Sequence, residues 1–196
     1  MSAPSDPFDD DQRRALDIAR RLAQAGVPVF IARPITTSTG GVDWGAGCAG
    51  YRLPPRWQDT PADPATVDAW RPGDAIAPVM GHRLDAVDID PRSRGDESAG
   101  ELTGAGFWPT VIGKATTPSA GWHDFINPLG VGSRDKFRAG IDHKGGRPDG
   151  TGRGFVFIAP TVKPSKVTGE LVAYRWELEP MLDELDAGDD SGAGAG

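Results

Sequence analysis

Glycine and proline take 27 and 18 of the 196 positions and are spread along almost the whole chain. Punctuation that dense breaks regular structure into short pieces, so the chain reads as many turns, loops and short strands rather than a helical bundle. The length suffices for one domain with a sizeable core, or at most two small ones. No run of eighteen apolar residues occurs, which excludes a membrane-spanning helix on hydropathy. The acidic start, Met1 to Asp11, has no apolar stretch of the kind a secretory signal needs, so the cytoplasm is the expected compartment. A single cysteine, Cys48, excludes an intramolecular disulfide and a zinc site built on several thiolates; it reads as an incidental thiol.

The net charge of −7 argues at first against a nucleic-acid partner. The acids are unevenly placed, however. Residues 1–11 carry four and residues 177–196 carry seven, with no base in either stretch. Between Gln12 and Trp176 there remain 21 basic against 17 acidic residues, a mildly basic body that permits nucleotide or nucleic-acid binding. Three segments are expected: an acidic N-terminal tail over 1–11, one catalytic domain over 12–185, and a disordered Gly/Ala/Asp-rich linker or tail over 186–196.

Apolar residues at helical spacing predict a helix over 12–25, stopped at Gly26. Val27–Ile31 reads as a strand, which Pro28 pushes toward a sheet edge. Residues 34–62 read as a long loop, and Asp63-Pro64 as the start of a short helix ending at Trp70. Strands are predicted at 75–80 and 84–90 about a turn at 81–83, followed by a weak helix over 94–103. A hairpin is predicted from 110–116 and 121–127. Further strands fall at 140–142, 154–159 and 172–176, and a short helix at 179–185. The expected class is α+β, with a mixed, largely antiparallel sheet flanked by helices. Trp70 and Trp176 read as core; Trp44 and Trp57, in the polar loop, read as candidates to touch a base or template; His82 reads as a solvent-exposed turn residue.

The strongest chemical signal is Leu84-Asp85-Ala86-Val87-Asp88-Ile89-Asp90. On a strand, residues i and i+2 share a face with Cα atoms roughly 6.5–7 Å apart. Asp88 and Asp90 therefore point one way, and Val87 and Ile89 the other, into a core. Paired carboxylates repel, and a hard divalent cation, Mg²⁺ or Mn²⁺, relieves the repulsion. A second segment, Thr117-Pro118-Ser119-Ala120-Gly121-Trp122-His123, is a small-residue turn leading into a strand histidine. Gly121 lets backbone approach a ligand, while Ser119 and His123 can donate to phosphate. A third, Gly140-Ile141-Asp142-His143-Lys144-Gly145-Gly146-Arg147, supplies another carboxylate, with Lys144 and Arg147 close in sequence.

The order and spacing of these segments resemble the bifunctional DNA primase/polymerase (prim-pol) branch of the archaeo-eukaryotic primase superfamily, found in plasmid and phage replication proteins. The resemblance extends to Ala25-Gly26-Val27-Pro28-Val29-Phe30, to Trp57-Gln58-Asp59-Thr60 with Asp63–Trp70, and to Ala159-Pro160, and so covers roughly residues 12–177. Ala120 stands where that pattern usually has glycine. The resemblance implies template-directed nucleotidyl transfer, with Asp88, Asp90 and Asp142 holding two divalent ions. Ser119, Gly121 and His123 would bind the nucleotide, assisted by Lys144 and Arg147, with Lys114 a further possible cation. The implied partners are a DNA template, dNTPs or NTPs, and a replication helicase in the same chain or separate; no zinc and no membrane are expected. Three rivals use the same acids. A DxD nucleotide-sugar transferase leaves the histidine turn and the third aspartate unexplained. A metal-dependent nuclease would cleave DNA without nucleotides. A non-catalytic DNA-binding replication module would have no need for Asp88, Asp90, His123 and Asp142 to be intact.

Overall fold

A computed structural model describes residues 7–181 of the chain. Its elements are α1 (Pro7–Gln24), β1 (Val29–Pro34), β2 (Tyr51–Arg52), α2 (Ala65–Asp68), β3 (Ala75–Pro78), β4 (Asp85–Ile89), α3 (Gly95–Gly104), β5 (Val111–Thr116), β6 (Trp122–Ile126), β7 (Arg134–Arg138), β8 (Ile141–Lys144), β9 (Val162–Pro164), β10 (Leu171–Ala173) and β11 (Arg175–Leu178). They form a three-stranded sheet (β2-β1-β3), a two-stranded one (β10-β9) and a six-stranded one ordered β11-β5-β6-β4-β8-β7. Every strand pairing in the three sheets is antiparallel. The α+β expectation holds.

The amphipathic face of α1 packs Ile18, Ala19 and Leu22 into a core shared by both larger sheets, with Val29 and Ile76 from the small sheet and Ala86, Ala115 and Phe125 from the large one. Strand alternation sends Phe30 and Ala32 to the other side of β1, where they meet Tyr51, Phe157 and Tyr174 in a second core. A third core, Val87, Ile89, Ala99, Ile126 and Ile141, lies where α3 covers the far face of the large sheet.

Several expectations need correction. The first helix begins at Pro7, inside the stretch read as a tail, because proline suits the first helical turn. β1 is the central strand of its sheet, not an edge: Pro28 precedes the strand, and its carbonyl accepts the Val79 N–H. The short helix ends at Asp68, two residues before Trp70, with the Asp63 carboxylate accepting from the Ala65 N–H. The strands expected on either side of the turn at 81–83 are present as β3 and β4, and the turn carries the chain from the small sheet to the large one. Residues 154–159 form no strand. They touch β3 by isolated bridges at Ile76–Ile158 and Val79–Phe155, and the same register sets Val156 opposite Pro78, which has no N–H to donate. The stretch 172–176 is split between β10 and β11. Residues 179–181 are not helical, and the remainder of the helix predicted there, like the tail over 186–196, lies outside the described residues.

The long loop is also less open than its composition suggests. Trp57 packs against Phe30 and Phe155, with ring centroids 5.6 and 4.9 Å apart, and Trp44 meets Tyr51 edge-on at 6.0 Å. Both tryptophans therefore serve the second core. His82 is half-buried, and burial, aided by the charge of Arg153, pushes its imidazole below the usual range. Among the described residues no helix is long and apolar enough to cross a membrane.

Candidate active site

β4 lies between β6 and β8, and the register sets Asp88 opposite His123 on one side and Asp142 on the other. Directly opposed residues of antiparallel strands point to the same face, with Cβ atoms about 4.5–5.5 Å apart. Three residues from separate segments of the sequence thus form a row across three strands. Asp90 follows at the end of β4. Its N–H donates to the Gly140 carbonyl at 2.8 Å, tying it to the start of β8.

Each carboxylate has a basic side chain beside it. Asp88 Oδ1 lies 3.5 Å from His123 Nε2. Asp90 receives the Arg92 guanidinium in a two-point grip, Nε to Oδ1 at 3.0 Å and Nη2 to Oδ2 at 2.6 Å. Asp142 accepts the Lys136 N–H at 2.7 Å and lies 3.2 Å from Lys144 Nζ, which also pairs with Asp135. Burial pushes the Asp88 carboxyl up, but the hydrogen bond and charge of His123, with the charges of Lys144 and Lys163, outweigh it and hold the group below the ordinary carboxylate range. Among the described residues, no three acidic, histidine or cysteine side chains converge into a formed ion site. The donor set is nevertheless of the hard-oxygen kind, and Asp88 and Asp142 share a face. The basic side chains beside them occupy carboxylate positions that a divalent ion would compete for.

Two recesses open on this row. The smaller, of about 110 Å³, is lined by Asp88, Asp90, Ser119, Gly121 and His123 together with Arg92, Lys163, Lys166 and Tyr174. The larger, of about 560 Å³, is lined by Asp88, Asp90 and Asp142 with Lys136, Arg138 and Lys166. Because Asp88, Asp90 and Lys166 belong to both, the recesses are two lobes of one cleft with an acidic floor and a basic rim. Of the residues singled out from the sequence, Asp88, Asp90, Asp142, Ser119, Gly121 and His123 meet here, and Lys144 touches Asp142. Arg147 does not line either lobe; its guanidinium is bonded to Thr151 Oγ1 in the following turn. Lys114 lies over Trp122 and near Glu177, away from the cleft. Cys48 is half-buried, and burial raises its thiol above the usual range, which disfavours the thiolate.

The hairpin turn is tightly built. Thr117 N–H donates to the Gly121 carbonyl, and Gly121 N–H to Thr117 Oγ1. A Cβ on Gly121 would overlap the Ile89 carbonyl oxygen, so this glycine permits close contact with β4 rather than with a ligand. Ser119 Oγ accepts the Lys166 N–H at 3.0 Å and so fastens the turn to the β9–β10 connection. Ala120 has φ 62°, a left-handed conformation that costs an L-residue about 1–2 kcal/mol. Ala120→Gly is expected to raise the melting temperature by roughly 2–4 °C, measured by thermal denaturation; an unchanged or lower value would show that the turn carries no such strain.

The basic rim was missed in the sequence. Lys163 and Lys166 follow the Ala159-Pro160 motif, and Lys136 and Arg138 stand two apart just before Gly140. That spacing was the available signal. Lys163 lies over the Phe157 and Tyr174 rings, at 5.5 and 6.0 Å, and burial lowers its ammonium below the usual range. Tyr174 packs on the His123 imidazole, with centroids 5.6 Å apart.

The family model for the bifunctional DNA primase/polymerase N-terminal domain matches residues 19–187. Among curated proteins none gives a significant match. The matched span takes in every strand of the cleft and the last third of the amphipathic first helix, and the chain belongs to the bifunctional DNA primase/polymerase (Prim-Pol) family.

Proposed function

We infer that the cleft catalyses template-directed nucleotidyl transfer, making and extending primers in plasmid or phage replication. Membership of the family supports the general activity, and the observation that carries the finer reading is the row His123–Asp88–Asp142 set by strand register. In the reaction the primer 3′-oxygen attacks the α-phosphorus of a nucleoside triphosphate, and the bond to the β-phosphate breaks to release pyrophosphate. Divalent ions held by Asp88, Asp90 and Asp142 would supply activation of the 3′-hydroxyl and neutralisation of the departing pyrophosphate. The chain's own groups bind and orient. Lys163 and Lys166 place positive charge in the smaller lobe beside Ser119 and His123, suiting it to the triphosphate. The larger lobe, with Lys136 and Arg138 on its rim, suits a nucleic-acid backbone.

The test is incubation with a primed template, labelled dNTPs and Mn²⁺. Extension of the primer is the expected result. Degradation would assign the same acids to a nuclease, and binding without turnover would assign the fold to a non-catalytic replication module.

A further inference from the structure

The large sheet has a second face, and part of it is uncovered. Val87 and Ile141 alternate with Asp88 and Asp142 along β4 and β8, so they point away from the cleft. With Ile126 they floor a groove of about 580 Å³ beside α3. Its rim is apolar and exposed: Phe107 is 77%, Leu129 54%, Val131 51% and Phe137 47% accessible. A continuous apolar surface of this kind marks an interaction site.

Charge narrows the occupant. The ionisable side chains lining the groove are Arg134, Arg138 and His143, and no acidic side chain lines it. Arg134 lies over the Phe137 ring at 5.9 Å, holding a cation at the apolar rim. A nucleic-acid strand fits poorly here, because the floor is aliphatic and the lysines that would meet phosphates line the cleft, with which the groove shares Arg138 alone among its lining residues. Strand addition at the neighbouring edge is also disfavoured. β7 is the outermost strand, but it carries three cations and an irregular register with Lys136 at φ 53°. What remains is a helix laid into a groove, apolar on one face and acidic on its flanks.

We propose that this back-face groove docks an acidic amphipathic helix of a partner protein, leaving the cleft on the other face free to work. The test uses the full chain and a fluorescein-labelled synthetic helix with leucines at i, i+3, i+4 and i+7 and glutamates on the flanks. A control peptide carries lysines in place of the glutamates. Fluorescence anisotropy is expected to show saturable binding of the acidic peptide alone. Arg134→Glu and Val131→Asp should each weaken it by about tenfold or more, while primer extension stays within about twofold of the unaltered chain. Equal binding of the lysine peptide would overturn the proposal. So would displacement of the acidic peptide by an oligothymidylate, which would make the groove a nucleic-acid surface. Self-association abolished by Val131→Asp would also overturn it, since the occupant would then be a second copy. Binding is read without nucleotide or template, so it stands or falls separately from the polymerase reading.

Discussion

Replacing Asp88 with asparagine is expected to lower nucleotide incorporation by about a thousand-fold or more while leaving the fold intact. Asp88 is the central member of the row, on the middle strand and opposite both His123 and Asp142. Asparagine keeps the volume and an oxygen that His123 can reach, and removes only the charge. Considered alone, the aspartate pair suggests that losing one of two repelling acids would stabilise the protein. The neighbours of Asp88 reverse that expectation. Its carboxyl is held below the ordinary range by His123, Lys144 and Lys163, so the charged form favours folding. That contribution is present above the unfolded pKa and fades as pH falls through the lowered folded value. Asp88→Asn should therefore lose a little stability at neutral pH and none in acid. Primer extension and thermal melts across pH measure both effects, and retained extension would sink the assignment of Asp88.

His123→Ala is expected to weaken nucleotide binding by about ten- to a hundred-fold, the worth of a charge-assisted hydrogen bond. Template affinity should hardly move, because backbone contacts are many and individually weak. The ring is 3% exposed and packs on Tyr174 and Phe125, so alanine also leaves a cavity costing on the order of 2–4 kcal/mol. His123→Gln fills more of that space and separates the two effects, since it should recover the melting temperature more fully than the nucleotide affinity. The measurement is a separate titration of nucleotide and of DNA into each variant. Collapse of DNA binding with normal nucleotide affinity would move His123 to the template groove.

Local patterns in the sequence gave what is local in the site. Asp88 and Asp90 two apart on a strand, the turn before His123, and an apolar residue before Asp142 all follow from periodicity two and turn chemistry. The cleft's basic rim is a tertiary product. Lys163 and Lys166 come from a segment some twenty residues past Asp142, brought over by the β9–β10 hairpin, whose start is anchored where the Tyr51 hydroxyl donates to the Val162 carbonyl at 2.7 Å. The two loop tryptophans were misread for the same reason, since polar neighbours say nothing of a loop folding back onto Phe30. The 154–159 stretch has strand composition, but it faces Pro78, which has no N–H, and the Ile76 N–H is taken by Thr161 Oγ1.

His143 and Asp85 sit behind the catalytic row. Their side chains meet at 3.1 Å, and the fully buried Asp85 also accepts N–H bonds from Gly81 and Leu129. A slip of β8 along β4 by one residue would turn Asp142 to the wrong face and carry His143 away from Asp85. The slipped pairing would then leave the buried Asp85 carboxylate without its histidine hydrogen bond, at a cost of about 1–3 kcal/mol. The back of the sheet thus acts as a proofreader for the front: a chain that misaligns its active site cannot do so silently, because the error is charged to stability before any substrate arrives.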